Sequence, residues 1–335
     1  MKRIIIFLVL CLVNLTTLFS QYKSKYPDIP IVDVHIHPRG VGDVANFIKV
    51  SELIKQKYGS NLAFWVGLNP VTESIEEVKA AGKNRILFAV GGLRPQTGLQ
   101  VTAEEVIEKV QDGYVGLKFP FTAPYRHLQP GVAGITRIDD PRFAPFFSKL
   151  EKANILMASL HNADPNGPFG NRQEWMFDPV YFWEQIRAFE NVLSSYPNLT
   201  IVAAHGAWLV CQDAQFDYLR YMLSTYPNLY IDISATCHYM HLSNRDNIRD
   251  FYIEYQDRIL FGTDGGRIAD NDIDNIAGRY ANFFAILETD QLVNGTFFRE
   301  IPTKGLDLPR EALEKIYYRN ARKLYPGLKE AMDTK

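Results

Sequence analysis

Two histidines near the amino terminus have the spacing of a metal-binding pair. His35 and His37 alternate with apolar residues in the stretch IVDVHIH, residues 31–37. Because side chains alternate along a β-strand, the two imidazoles project from the same face. Imidazole is the commonest metal ligand in proteins and suits zinc, iron and nickel, so this pair supplies half of a metal site. On this stretch alone, two core histidines without a metal remain the alternative.

Other ionisable side chains end further apolar runs. His161 follows the run 155–160, His205 follows 201–204, Asp264 ends LFGTD at 260–264, and Lys118 lies in GLKFP at 116–120. A charged group at the end of a buried strand is costly unless it is paired or metal-bound. Each histidine alone also fits a core position, and Asp264 alone fits a turn that caps a helix. Together, four histidines and an aspartate at four strand ends predict one shared site.

Short apolar, β-branched runs alternate with amphipathic helical patterns along the chain. The predicted strands cover residues 30–37, 61–68, 85–93, 113–119, 154–161, 199–205, 228–234 and 258–264. The predicted helices cover residues 43–58, 72–81, 103–111, 141–152, 179–195, 213–226 and 244–255. Eight such units favour a (β/α)8 TIM barrel over an open doubly wound sheet, and the ends of all eight strands meet at one rim of a barrel. Helical patterns at 276–287 and 310–324 add an extra C-terminal helical segment, without a second domain.

Composition narrows the class of protein. The chain has 335 residues, 47% of them hydrophobic and 22% charged, which is typical of a globular protein. Its net charge of -2, its pI near 6.4 and the absence of a long Lys/Arg run give no indication of nucleic-acid binding. We therefore expect a small molecule as its partner, and a homodimer is left open.

The first 20 residues have the zones of a secretory signal peptide. Lys2 and Arg3 precede an apolar run at 4–13. Asn14, Thr16 and Thr17 leave that run too short for a membrane span. We expect cleavage near Ser20 or Gln21, export of the protein, and a catalytic domain over 28–327; an uncleaved anchor is the alternative. Two cysteines then remain, Cys211 and Cys237, as a disulfide or as two buried thiols.

The motifs at the strand ends resemble those of a known superfamily. DVHIH at 33–37, AHG at 204–206, GTD at 262–264 and YRNARKL at 318–324 occur in the order found in the amidohydrolase superfamily. The resemblance is to the branch of amidohydrolase-related proteins that includes aminocarboxymuconate-semialdehyde decarboxylase. It covers nearly the whole chain after the signal peptide. Jointly, these motifs are specific for the superfamily but not for the reaction.

The resemblance implies a role for each of these residues. His35, His37, His161 and Asp264 would bind one divalent metal ion, most often zinc. His205 would donate or accept protons beside the bound water. Three neutral imidazoles and one carboxylate leave a positive centre, which lowers the pKa of a bound water towards about 7. Asp264 is a second candidate base.

Three more residues near the rim are candidates for substrate binding. In binuclear members of the superfamily a lysine on the fourth strand is carbamylated and bridges two metals, whereas related single-metal branches leave it available. Lys118 is therefore a candidate charge partner for a substrate carboxylate or for Asp264, and a structural salt bridge is equally compatible. Arg94 follows the third strand and Trp208 follows His205, so either could orient a carboxylate or an apolar ring.

Three functions remain open at this point. A metal-dependent hydrolase acting on an amide, ester or lactone is favoured, since an exported enzyme more often degrades incoming nutrients. A metal-dependent decarboxylase acting on a small unsaturated or aromatic carboxylate is the alternative. A binding or scaffold protein built on a catalytically inactive barrel is disfavoured because every expected ligand position is filled.

Overall fold

Eight short parallel strands form the centre of the molecule in its computed structural model. The structure describes residues 22–68, 74–91, 93–94, 98–99, 101–121, 135–165, 179–294 and 301–334. In chain order the strands are β1 Pro30–Ile36, β2 Asn61–Gly67, β3 Ile86–Phe88 with its continuation Val90–Gly91, β4 Leu117–Pro120, β5 Met157–His161, β6 Ile201–Ala203, β7 Leu229–Asp232 and β8 Ile259–Leu260. Each strand pairs in parallel with the next. The predicted signal peptide, residues 1–20, lies outside the described residues.

Helices follow the strands around the outside. They are α1 Val41–Tyr58, α2 Ile75–Ala81, α3 Ala103–Gln111, α4 Ala144–Lys152, α5 Pro179–Ser195, α6 Asp213–Thr225, α7 Arg245–Glu254 and α8 Ile273–Glu288. The C-terminal segment is helical over Arg310–Glu314, Lys315–Arg319, Asn320–Leu324 and Leu328–Asp333, with a π-helical turn in the second of these. Helices α2 and α3 each begin at a capping box, with Ser74 and Thr102 as the capping residues.

The sheet closes where β8 meets β1, and we call this junction the seam. Ile36 and Gly265 form a parallel bridge there. The amide of Val34 donates to the carbonyl of Phe261 at 3.0 Å. This closure makes the fold a (β/α)8 barrel, as the sequence predicted.

Buried Asp33 reinforces the seam from the helix side. Its carboxylate accepts hydrogen bonds from the Thr263 amide at 3.1 Å, the Thr263 hydroxyl at 2.5 Å and the Tyr280 hydroxyl of α8 at 2.6 Å. Burial raises the pKa of Asp33 to about 6, although these hydrogen bonds act in the opposite direction. One side chain of β1 thereby fixes the backbone immediately before Asp264.

The C-terminal segment closes the end of the barrel where the strands begin. Tyr325 and Leu328 pack in one hydrophobic cluster with strand residues such as Val32, Val202 and Leu260. The Tyr325 hydroxyl donates to the backbone carbonyl of Ala158 at 2.9 Å. Access to the centre of the barrel is therefore from the opposite rim.

The predicted strands and helices of the barrel occur in the predicted order. The structure adds elements that were not predicted: two antiparallel pairs, Leu93–Arg94 with Gly98–Leu99 and Leu292–Val293 with Thr303–Lys304, and a last helix, Leu328–Asp333. Helices α3 and α5 have the predicted bounds, whereas β6 and β8 are shorter than the apolar runs that predicted them. Cys211 and Cys237 are both buried thiols and are not joined by a disulfide. Across the described part of the chain, no helix combines the length and apolar character needed to cross a bilayer.

Candidate metal centre

Three predicted ligands meet at the seam. The Nε2 atoms of His35 and His37 lie 3.2 Å apart, and Asp264 Oδ1 lies 3.3 Å from the first and 3.0 Å from the second. A tetrahedral ion with bonds of 2.0–2.1 Å to nitrogen has ligands spaced by roughly 3.3 Å. The three donor atoms therefore already have the spacing that a divalent ion requires.

Electrostatics also favours positive charge at this point. Burial alone would raise the pKa of Asp264, but hydrogen bonds with His35 and His37 hold it well below its ordinary value. Burial lowers the pKa of His37, which favours the neutral ring that binds metal. An anionic carboxylate beside the neutral ring of His37 suits a divalent cation.

A residue that the sequence analysis missed holds His35 in place. Asp232, at the end of β7, lies with Oδ2 2.9 Å from His35 Nδ1. Burial opposes ionisation of Asp232, but the charge and hydrogen bond of His35 lower its pKa below the ordinary value. A carboxylate in this position accepts the Nδ1 hydrogen, so Nε2 is the nitrogen that can bind a metal ion. The signal was present, because Asp232 ends its strand much as Asp264 ends the eighth.

Ser234, two residues after Asp232, holds the ring of His205 in place. Its Nδ1 lies 2.9 Å from the carbonyl oxygen of Ser234, which can only accept, so Nε2 carries the lone pair. Burial lowers the pKa of His205 to about 3, and the ring is therefore neutral near pH 7. The Ser234 hydroxyl lies 2.9 Å from His205 Nδ1 and 3.0 Å from His35 Nδ1, and Asp232 accepts its hydrogen. Asp232 and Ser234 thus support both rings.

The backbone at the rim is strained. His205 and Asp264 have φ values of 58° and 65°, and Gly206, Ala207 and Trp208 continue the left-handed turn at 58°, 53° and 59°. Residues other than glycine adopt this conformation at a cost of about 1–3 kcal/mol each, and such residues concentrate at functional sites. The turn stacks Trp208 on His205, with ring centroids 4.3 Å apart.

His161 lies on the same rim, on the far side of His205. The two ring centroids are 5.0 Å apart, and the Trp208 indole N–H donates to His161 Nε2 at 3.4 Å. Asp164 Oδ1 lies 3.7 Å from the same nitrogen. His205 also belongs to a possible ligand group, because donor atoms of His35, His205 and Asp264 all lie within 4.8 Å of one another. The role of His161 as a ligand stays a prediction.

Lys118 reaches the centre from β4. Its Nζ donates to Ser159 Oγ at 2.9 Å and lies 3.5 Å from His35 Nε2. Burial lowers the pKa of Lys118 to about 8.

Arg94 belongs to the short strand Leu93–Arg94, but its side chain lies outside the described residues. The indole N–H of Trp208 is engaged by His161, so any substrate contact by Trp208 would use its ring face.

We expect Asp232→Asn to weaken zinc binding about 10- to 100-fold, because the neutral amide no longer orients and polarises His35 through a charged hydrogen bond. Competition with a chromophoric chelator measures this affinity. The matched control is Asp274→Asn, which removes an exposed carboxylate that pairs with Lys57 on the outer surface. Equal zinc affinity in both variants would show that Asp232 has no part in holding the metal.

The comparisons with known proteins identify the family. The family model described as Amidohydrolase matches residues 72–327, and the chain belongs to that family. This confirms the resemblance to the amidohydrolase superfamily and to its branch that includes aminocarboxymuconate-semialdehyde decarboxylase. His161, His205 and Asp264 lie inside the matched region, and His35 and His37 precede it. No curated protein matches the chain.

The chain is similar to solved structures at low sequence identity. The uncharacterised TIM-barrel protein Bb4693 from Bordetella bronchiseptica is 17% identical with a TM-score of 0.52, over 91% of this chain and 100% of that one. The apo form of Metarhizium anisopliae IDCase is 13% identical with a TM-score of 0.48, over 90% and 98%. A zinc-bound amidohydrolase from Burkholderia multivorans is 11% identical with a TM-score of 0.42, over 88% and 98%. The first supports the barrel fold, and the other two, at TM-scores below 0.5, add nothing to it.

Proposed function

We propose that the protein is an exported, metal-dependent hydrolase that adds water to an amide, ester or lactone carbonyl. The observation that carries this proposal is the spacing of His35 Nε2, His37 Nε2 and Asp264 Oδ1, beside a neutral His205. Zinc is the proposed ion, because two imidazoles and a carboxylate at tetrahedral spacing suit it. Export rests on the signal-peptide pattern of residues 1–20.

The residues divide the work between binding and proton transfer. His35, His37 and Asp264, with His161 as the fourth proposed ligand, would hold the ion. A bound divalent ion lowers the pKa of water towards about 7 and polarises a carbonyl. His205 accepts a proton at Nε2 and returns it to the leaving group, because its Nδ1–H donates to the Ser234 carbonyl and leaves the lone pair on Nε2. Asp232 and Ser234 keep His35 and His205 in the tautomers that this division requires.

The test is a screen of zinc-loaded protein against lactones, esters and aromatic carboxylates. We expect one acid released per bond cleaved, followed with a pH indicator, and no carbon dioxide. Prior removal of metal with a chelator should abolish the signal, and added zinc should restore it. Carbon dioxide release without uptake of water would instead assign the protein to the decarboxylases, using the same residues.

A further inference from the structure

We propose that Lys118 and Ser159 form an anion-binding subsite beside the metal centre, so that the substrate carries a carboxylate next to the bond that reacts. This inference rests on the proposed function, because the same centre holds the substrate. It narrows the substrate class from any ester, amide or lactone to anionic ones.

The geometry fixes the ammonium group in one place. Lys118 and Ser159 lie directly opposite each other in the ladder between β4 and β5. Lys118 is 6% exposed and Ser159 is fully buried. Gly116 allows this approach of the two strands, since it has a φ of 139° and a Cβ there would lie 2.2 Å from the carbonyl oxygen of Leu156. The ammonium therefore has little freedom to swing away from His35.

The charge of Lys118 is not neutralised by direct contact within the described part of the chain. Its hydrogen-bond contacts there are the Ser159 hydroxyl and His35 Nε2, and neither is an acid. The nearby carboxylates are engaged elsewhere, Asp264 by His37 and Asp232 by His35 Nδ1. A buried cation without a carboxylate partner is costly, and a methionine of similar shape would avoid the cost. Asp264 and Asp232 favour the charged ammonium through space, but a purely structural role leaves it without a carboxylate in direct contact among the described residues.

An anionic substrate would supply the carboxylate partner that the Lys118 ammonium lacks within the part of the chain that the structure describes. If His35, His37 and Asp264 held a divalent ion, the Lys118 ammonium would be a second positive charge close to it, because Nζ lies 3.5 Å from His35 Nε2. A carboxylate between them is attracted to both, and it accepts a short charge-assisted hydrogen bond from Lys118. The Ser159 hydroxyl accepts from Lys118, which leaves its own hydrogen to donate to the same anion. A neutral substrate would leave the two positive centres facing each other.

The experiment measures acetate binding to the cobalt(II)-loaded protein through the change in its visible absorption bands. In Lys118→Met we expect the Kd for acetate to rise about 10- to 100-fold, the loss typical of a hydrogen bond to a charged group. Binding of neutral acetamide should not change. The matched control is Lys49→Met, which removes an exposed lysine that pairs with Asp270 on the surface and should alter the acetate Kd less than about twofold.

Unchanged acetate affinity in a folded, cobalt-loaded Lys118→Met protein overturns the subsite. If this variant fails to fold, Ser159→Ala provides the test. It removes the hydroxyl that holds the ammonium and should raise the Kd for acetate about 3- to 10-fold. Unchanged affinity in that variant also overturns the proposal. A wild-type protein that takes up no cobalt refutes the proposed function itself, and the two failures are thereby distinguished.

Discussion

Protein in which His35 and His37 are both replaced by alanine is expected to retain less than about one tenth of the zinc bound by the wild type. The substitution removes two of three donor atoms that lie 3.0–3.3 Å apart and leaves Asp264 without either histidine neighbour. A tetrahedral site does not hold its ion with half of its protein ligands missing. Elemental analysis of protein that has been loaded with zinc and then dialysed gives the metal content per chain.

The control for this variant is His241→Ala, which removes an exposed histidine from the turn after β7 and should leave the zinc content unchanged. Because His35 is buried, thermal unfolding must show that the double variant is folded. Asp264→Asn provides a second, nearly isosteric variant with the same expected loss. Stoichiometric zinc in the folded double variant would refute the assignment of these histidines as ligands.

His205→Asn is expected to lower kcat by about 10²- to 10⁴-fold while zinc content stays at the wild-type level. The asparagine amide can still donate to the Ser234 carbonyl, but it offers no nitrogen that takes up a proton. The effect depends on the neutral ring, and burial keeps the pKa of His205 near 3, so the free base is present throughout the neutral range. The assay uses the best substrate from the screen and reports kcat and metal content on the same sample.

Two results would contradict this role for His205. An unchanged kcat would remove His205 from proton transfer. A loss of zinc would instead make it a ligand, which the close grouping of His35, His205 and Asp264 leaves as the competing interpretation. Trp208→Phe is the matched control, because phenylalanine keeps a ring stacked on His205 and loses only the indole N–H that reaches His161. We expect it to lower kcat less than about tenfold.

The barrel and the main side chains of the centre could be predicted from sequence for a topological reason. In a closed parallel sheet, every strand delivers its last residue to the same rim, so a histidine or aspartate at a strand end is placed without knowledge of distances. His35, His37 and Asp264 all followed from this rule. Asp232 obeys it as well, but the predicted strand continues to residue 234, so the sequence pattern does not mark Asp232 as a strand end.

The remaining features depend on contacts that a sequence pattern does not show. Ser159, within β5, and Ser234, two residues after β7, have no distinguishing pattern in the sequence. The fold places Lys118 beside the first and His35 beside the second. The left-handed turn at 205–208 contains alanine and tryptophan, which have no preference for positive φ, so tertiary packing imposes that conformation. The same turn ends β6 at Ala203, two residues before the predicted end.

The position of the donor atoms on either side of the seam links assembly to metal uptake. During synthesis, His35 and His37 on β1 are made early, whereas Asp264 follows β8. The ligand set is therefore complete only after the last strand has been made. An ion bound after that point would link β1 to the end of β8 and so hold the two sides of the seam together. Removal of the ion by a chelator would then destabilise the seam between β1 and β8 before any of the outer helices separates from the barrel.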